Sequence, residues 1–131
     1  MTPTERDELI GAALDAQQRA FCPYSNFPVG AALRTAGGKI YQGVNIENAS
    51  FGLTVCAERV AASAAVTAGE RDFAAIAVVS RGGVSPCGAC RQFLAEFNPD
   101  LLVVMVDSSQ PNAAHETTLG VLLPGRFEGP T

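Results

Sequence analysis

Features that define several other classes of protein are missing from this sequence of 131 residues. It has no apolar run near the ~20 residues that a membrane-spanning helix needs, and it has no run or stripe of Lys and Arg. Its formal net charge is -4, so it would repel a phosphate backbone rather than neutralise it. We therefore expect neither a membrane nor a nucleic acid polymer as a partner.

The sequence is also poor in charge and in targeting signals. Charged residues make up only 17%, which is low for a small monomer and suggests further burial between subunits. The N-terminus is polar and is not followed by the apolar core of a signal peptide, which predicts a cytoplasmic protein. In that compartment the four cysteines are expected to be metal ligands or buried thiols rather than disulfides.

The composition that remains suits one compact domain. Hydrophobic residues make up 47% of the chain, and no internal repeat, low-complexity segment or linker interrupts it. A chain of this length can bury roughly 68% of the surface that its unfolded form exposes, so it can fold without disulfides. The sequence therefore predicts a single domain over residues 1–131.

Helical and strand patterns alternate along the chain. Thr4 is predicted to cap the first helix, and continuous apolar runs at 73–80 and 101–106 are typical of strands buried on both faces. The other predicted elements are a first helix that stops at Pro23, strands over 27–33 and 39–44, helices over 54–68 and 88–97, and a short helix over 118–123. This alternation favours a layered α/β sandwich over a sheet of about five strands.

Three of the cysteines fall at the predicted N-termini of two helices. Cys56 lies at the start of the second helix, and Cys87 and Cys90 lie at the start of the third. Unpaired backbone N–H groups and the helix dipole stabilise thiolates at such positions. One Cys-x-x-Cys turn can supply two ligands of a tetrahedral zinc, and Cys56 can supply a third. Three protein ligands leave one position for water, which distinguishes a catalytic zinc from a structural one.

Glu58 follows Cys56 by two residues, so we expect it to reach the water beside the metal rather than the metal itself. A carboxylate there can take the proton of the water, pass it to a ring nitrogen and help an amine to leave. A non-ligating Glu together with Pro86 and the Cys-x-x-Cys that follows it is the pattern of zinc deaminases. The sequence therefore predicts a zinc enzyme that hydrolyses an exocyclic amine, with Glu58 as the catalytic residue.

Three thiolates and Zn²⁺ leave one net negative charge, which should make the bound water less acidic. We expect a cation to compensate, and Arg59 is the first candidate, because it directly follows Glu58 and could hydrogen-bond to the thiolates. Arg91, next to Cys90, is the second. A Cys-x-x-Cys alone would also fit a redox pair or half of a structural zinc site. Cys22 is expected to be a buried thiol, and His115 is expected to lie solvated in a polar loop.

Around these residues the sequence resembles the small, homotetrameric cytidine deaminases. Residues 22–33 resemble the N-terminal signature of that family, and residues 43–51 resemble its nucleoside-binding loop. Residues 54–59 and 85–92 resemble its two zinc segments, and residues 122–124 with Phe127 resemble its C-terminus. They cover nearly the whole chain in the family's order. Two departures are Phe51, where the family often has Tyr, and residues 107–116, which do not align.

The resemblance implies a three-layer α/β/α sandwich with a mixed sheet, a homotetramer and one Zn²⁺ per chain. It implies hydrolytic deamination of cytidine and 2′-deoxycytidine to uridine, 2′-deoxyuridine and ammonia, as in pyrimidine salvage. Water activated by the zinc would attack C4, while Glu58 moves a proton first to N3 and then to the departing ammonia.

The resemblance also implies contacts with the substrate. Asn45 and Glu47 would hydrogen-bond to the ribose 3′-hydroxyl, Phe27 would stack on the pyrimidine, and the backbone of Ala57 would meet the polar edge of the base. Phe127 would come from a neighbouring subunit to close the site. For both phenylalanines, packing in the core is the alternative.

Three other functions stay open from the sequence. The first is the same chemistry on another substrate, such as an aminonucleoside antibiotic or a free base. Asn45 and Glu47 favour a sugar, because their polar groups would otherwise be unpaired in a closed site. The second is editing of polynucleotides, against which the acidic charge argues. The third is a zinc-binding interaction module without catalysis, in which a fourth protein ligand would complete the metal.

Overall fold

The structure is a computed structural model that describes residues 1–130. Its elements are α1 (Pro3–Gln17), β1 (Gly30–Thr35), β2 (Ile40–Val44), α2 (Ala57–Thr67), β3 (Phe73–Ser80), α3 (Gly88–Ala95), β4 (Leu102–Asp107), β5 (His115–Thr118) and α4 (Leu119–Leu122). A single 3₁₀ turn, Phe51–Leu53, precedes α2. No helix in this described range is long and apolar enough to cross a membrane.

The five strands form one mixed sheet in the order β2-β1-β3-β4-β5. β3 and β4 pair in parallel, and the other neighbours pair antiparallel. The parallel pair needs a crossover connection, which α3 provides between the two strands. The mixed sheet of about five strands is thus confirmed.

Helices cover both faces of the sheet. α1 packs on one face, where the buried residues include Leu9 and Ala13 of the helix and Ala77 of β3. α2 and α3 pack on the other face, where Ala61 and Leu94 belong to one core with further side chains of β1, β3 and β4. Successive side chains of β3 therefore enter different cores, which explains its unbroken apolar sequence. The three-layer α/β/α sandwich is confirmed.

The N-cap of α1 differs from the prediction. Thr2, not Thr4, caps the helix: the Glu5 N–H donates to Thr2 Oγ1 (3.1 Å), and the Thr2 N–H donates to Glu5 Oε1 (2.7 Å). Pro3 then occupies the first helical position, where its missing N–H costs nothing and its φ suits a helix. The helix also ends at Gln17, well before Pro23.

The predicted loop around His115 is wrong, because His115–Thr118 forms the edge strand β5. It pairs with β4 from Met105 to Leu102, and the imidazole of His115 is exposed, as expected. Cys22, expected to be buried, is only half-buried. β1 and α2 both begin three residues later than predicted, at Gly30 and Ala57.

Two glycines let the helices lie directly on the sheet. A Cβ at Gly43 of β2 would be 2.3 Å from the Ala57 carbonyl oxygen and 2.4 Å from the Ala61 nitrogen, both in α2. On the opposite face, a Cβ at Gly30 would be 2.2 Å from the Ala13 carbonyl oxygen in α1. The absence of a side chain at Gly43 therefore sets where the N-terminus of α2 lies.

Candidate active site and metal centre

Three cysteine sulfurs converge at the N-termini of α2 and α3. Cys56 and Cys87 are the N-cap residues of these helices, and Cys90 lies in the first turn of α3. The Sγ atoms of Cys56 and Cys87 are 4.0 Å apart, and those of Cys87 and Cys90 are 3.4 Å apart. All three lie within 4.8 Å of one another. A tetrahedral zinc with ~2.3 Å bonds places its sulfur ligands about 3.8 Å apart, so this spacing fits zinc.

The three thiols shift one another's pKa values because their sulfur atoms lie so close together. A hydrogen bond with Cys90, helped by Arg59 and Cys87, lowers the pKa of Cys56 to about 5. The same hydrogen bond, together with burial, raises the pKa of Cys90. Zinc binds thiolates and releases their protons, so a lowered pKa at Cys56 favours the form of that thiol that binds the metal.

Arg59 lies against this cluster, as predicted. It follows Cys56 by three residues on one face of α2, and its Nη2 is 3.6 Å from the Cys56 Sγ. Its Nε is buried without a hydrogen-bond partner in the described structure. Arg91, the second candidate, points elsewhere. It donates to the carbonyls of Pro86 (2.7 Å) and Leu122 (2.7 Å) and to Ser85 Oγ (2.8 Å), so it is not placed to compensate the thiolates.

Glu58 lies beside the cysteines with a side chain that is almost fully buried. The residue is 5% exposed. Burial raises the pKa of its carboxyl group, and the charge of Cys56 raises it further, while Arg59 partly opposes both effects. Glu58, Ala57, Cys56 and Cys87 line one cavity of about 210 Å³. The group of converging ligand atoms does not include its carboxylate.

Sequence reasoning missed most of the walls of this cavity. Apolar side chains line it beside the polar groups, and they are Val29, Val55, Val78 and Val84. Val78 lies near the end of β3, and Val84 lies in the loop before Cys87. The apolar run of β3 could have indicated Val78, but no local pattern marks the loop residue.

A second cavity, of about 420 Å³, adjoins the first at Thr54, which lines both. Asn45 lines the first cavity and Glu47 the second. The structure therefore brings the predicted sugar-binding pair to neighbouring parts of one depression, one of them beside the cysteines.

Asn45 and Glu47 also hold the loop that precedes β1. Asn45 Oδ1 accepts from the Val29 N–H (2.9 Å), and its Nδ2 donates to the Phe27 carbonyl (2.9 Å). Glu47 Oε1 accepts from the N–H groups of Tyr24 (2.9 Å) and Ser25 (3.1 Å). Among residues 1–130, one N–H of Asn45 and the Oε2 of Glu47 have no hydrogen-bond partner, which leaves them for other molecules.

The two phenylalanines have different surroundings. Phe27 is half-buried, and the guanidinium of Arg81 lies over its ring, 5.2 Å from the centroid. No pattern in the sequence indicates this contact. Phe127 is 73% exposed, so it does not pack in the core of its own chain. Neither ring is among the residues that line the two cavities.

Comparison with known proteins agrees with this geometry. The model of the family described as "Cytidine and deoxycytidylate deaminase zinc-binding region" matches residues 3–106. A cytidine deaminase of Sporosarcina psychrophila is 48% identical over 123 residues, 92% of this chain and 90% of that protein. A blasticidin-S deaminase of Bacillus cereus is 36% identical over 109 residues, 76% of each chain.

Among solved structures, the crystal structure of a cytidine deaminase from Burkholderia pseudomallei superposes with a TM-score of 0.88. It is 48% identical in sequence, and the match covers 97% of this chain and 100% of that one. The family that matches is described as a zinc-binding region, and three sulfur atoms at the spacing of zinc ligands converge in this structure. The prediction of zinc as the cofactor is therefore confirmed. The chain belongs to the cytidine and deoxycytidylate deaminase family.

Proposed function

We propose that this protein catalyses the zinc-dependent hydrolytic deamination of cytidine and 2′-deoxycytidine to uridine and 2′-deoxyuridine. The observation that carries the proposal is the position of Glu58, whose buried carboxylate lines a cavity beside three converging cysteine thiols. A general acid-base group next to an incomplete ligand set is what hydrolysis of an amine needs.

Cys56, Cys87 and Cys90 would hold one zinc per chain. When bound, the metal supplies a nucleophile by lowering the pKa of a water molecule. The described residues contribute three ligand atoms to this group and no fourth, which argues against a closed structural site. Arg59, whose Nη2 is 3.6 Å from the Cys56 Sγ, would offset part of the thiolate charge.

Glu58 would carry the protons. It would accept one proton from the attacking water and deliver it to N3 as the water oxygen bonds to C4. It would then take the second proton of that oxygen, now a hydroxyl on C4, and deliver it to the amino group as the C4–N bond breaks, so that ammonia leaves and the C4 carbonyl of the product forms. Burial raises the pKa of its carboxyl group, which brings the group closer to the pH at which it must both accept and return a proton.

The other predicted residues would bind the nucleoside. The free N–H of Asn45 and the free Oε2 of Glu47 would bond to the 3′-hydroxyl of the sugar. The first-turn N–H groups of α2, at Ala57 and beyond, have no intrahelical acceptor and would meet the polar edge of the base. Phe27 would stack on the ring of the base, with Arg81 on its other side.

The protein would act as a single-domain homotetramer in the cytoplasm. Among residues 1–130, four large apolar side chains are 66% or more exposed in the isolated chain: Phe51 (72%), Leu53 (66%), Val121 (71%) and Phe127 (73%). Contact with other subunits would bury them, and Phe127 would complete the site of a neighbour. Gel filtration at several concentrations tests this assembly, and a stable, fully active monomer would refute it.

The activity is tested by the ultraviolet absorbance of cytidine on incubation with zinc-loaded protein. We expect the cytidine band to disappear, with uridine as the product. The controls are Glu58→Ala and the isosteric Glu58→Gln. Because Glu58 would serve in several steps, we expect kcat of Glu58→Ala to fall at or beyond the top of the ~10²–10⁴-fold range of a single acid-base group, with one zinc per chain retained. A Glu58→Ala protein within tenfold of wild type would reject the assigned role.

A second candidate substrate is an aminonucleoside antibiotic, which the match to the Bacillus cereus blasticidin-S deaminase favours. The same assay with blasticidin S separates the two possibilities by kcat/KM. Turnover of the antibiotic without turnover of cytidine would favour the second candidate. No turnover of either, with zinc bound, would favour an interaction module, and metal spectroscopy would then show a fourth protein ligand.

A further inference from the structure

Two consecutive side chains of α3 hold the C-terminal segment of the chain. Arg91 donates to the Leu122 carbonyl (2.7 Å) and also to the Pro86 carbonyl (2.7 Å), next to Cys87. Gln92 bonds to the backbone of Phe127 at two atoms: its Nε2 donates to the Phe127 carbonyl (2.9 Å), and its Oε1 accepts from the Phe127 N–H (3.3 Å). The helix that carries two of the three cysteines thus also fixes both ends of the segment from Leu122 to Phe127.

The pairing of Gln92 with Phe127 is specific to the amide side chain. A primary amide presents one donor and one acceptor side by side, as the backbone of a neighbouring strand does, and a carboxylate presents acceptors alone. Between α4 and Phe127 the chain turns at Gly125, whose φ is 63°. Within the described chain, residues 124–130 make no backbone–backbone hydrogen bond, so Gln92 replaces the pairing that a strand would provide.

The bonds fix the backbone of Phe127 and leave its ring free. The ring is 73% exposed and points away from the core of its own chain. Such a residue is suited to insertion into another surface. Its backbone is already held at two atoms, so binding costs little further conformational entropy in that segment of the chain.

We infer that Gln92 is a positioning residue, which sets the place of the Phe127 ring relative to the cysteine-bearing helix and so presents that ring to the site of a neighbouring subunit. The inference rests on the proposed function, in which Phe127 completes the site of a neighbour. It adds the residue on which that contact depends, and it links the metal centre of one subunit to the substrate site of another through a single helix.

Kinetics and hydrogen exchange together test the inference on the zinc-loaded protein. Removing a net hydrogen-bond contribution of ordinary size corresponds to roughly a 3- to 10-fold change in a binding constant. We therefore expect Gln92→Ala to raise KM for cytidine by roughly 3- to 10-fold, with kcat within about twofold of wild type and full zinc content. The Phe127 amide should exchange its hydrogen faster.

Two further variants and one matched control sharpen the test. Gln92→Glu replaces the donor to the Phe127 carbonyl by a second acceptor, which would face that carbonyl oxygen across 2.9 Å, so its KM should rise at least as far as that of Gln92→Ala. Phe127→Ala should raise KM, and adding Gln92→Ala to it should raise KM no further, because the two residues act through one contact. Gln110→Ala, at an exposed glutamine outside both sites, should change neither KM nor exchange.

The outcomes separate the inference from the proposed function. If Phe127→Ala raises KM and Gln92→Ala changes neither KM nor exchange, the positioning role is overturned and the role of Phe127 stands. If Phe127→Ala leaves KM unchanged, the contribution of Phe127 to a neighbouring site is overturned, and with it the presentation of the ring by Gln92. Additive effects of the two substitutions on KM would also overturn the inference.

Discussion

Gly43 is expected to set the position of the catalytic helix, and a single methyl group tests this. In Gly43→Ala, the new Cβ would lie 2.3 Å from the carbonyl oxygen of Ala57, the residue between Cys56 and Glu58. Real Cβ contacts are essentially never below 3.0 Å, so the N-terminus of α2 must move by roughly 0.7 Å or more. A misplacement of about 1 Å in a catalytic group can cost about 10²-fold in rate.

Gly30→Ala is a matched control for this substitution. Its Cβ would lie 2.2 Å from the Ala13 carbonyl oxygen and 2.5 Å from the Gln17 nitrogen, so the clash with helix backbone is of the same size. The helix concerned is α1, on the other face of the sheet, and it carries none of the cysteines and no catalytic residue. Overpacking of this kind typically destabilises a protein by about 1–3 kcal/mol, and we expect both variants to lose stability to that extent.

The assay measures stability and catalysis on the same samples. Urea unfolding at a fixed chain concentration gives the apparent midpoint, and cytidine turnover at saturating zinc gives kcat. We expect similar midpoints for the two variants, a kcat about 10²-fold below wild type for Gly43→Ala, and a kcat within about threefold of wild type for Gly30→Ala. If both variants kept kcat within threefold of wild type, the absence of a side chain at Gly43 would not be what positions α2 for catalysis.

Two smaller perturbations address the metal centre and the N-terminus. Arg59→Ala should lower kcat by roughly 10- to 100-fold, because it removes a charge-assisted hydrogen bond to the Cys56 thiolate. The control Arg19→Ala removes an exposed cation far from the cysteines and should leave kcat unchanged. If Arg59→Ala kept the kcat and the zinc content of wild type, Arg59 would not compensate the charge of the thiolates. Thr2→Ala should lower the free energy of unfolding by about 1 kcal/mol in thermal or urea denaturation, because it removes the capping box. A larger loss for Thr4→Ala would show that Thr4, and not Thr2, caps α1.

The sequence predicts an element correctly where a long run of apolar residues corresponds to an element that is buried over most of its length. The sequence predicts β3 with its observed bounds, because seven of its eight residues are buried between two cores and the strand is therefore almost wholly apolar. The Cys-x-x-Cys spacing predicts that Cys87 and Cys90 share one helical turn, and all three cysteines were expected at helix N-termini, which favour thiolates. That the N-termini of α2 and α3 meet, so that Cys56 joins the other two, is seen in the structure.

The predictions that failed depend on geometry that adjacency in sequence does not show. Arg91 follows Cys90, but successive residues of a helix point about 100° apart, so its guanidinium turns toward Leu122 instead. Arg59 is three residues from Cys56, and residues at that spacing share a face. The cap of α1 was ambiguous, because Thr2 and Thr4 each have an acidic residue three positions later, and the fixed φ of Pro3 favours the first.

The strand that carried no signal in the sequence has a consequence for solubility in the cell. β5 forms one edge of the sheet, and an exposed edge can pair with the edge of another molecule and start aggregation. This edge is four residues long, and its exposed side chains are His115 and Glu116, the second of which forms an ion pair with Arg6 of α1. A strand that is short, charged and tied to a neighbouring helix is a poor template for further strands. The polarity that made β5 resemble a loop thus prevents the sheet from growing beyond it.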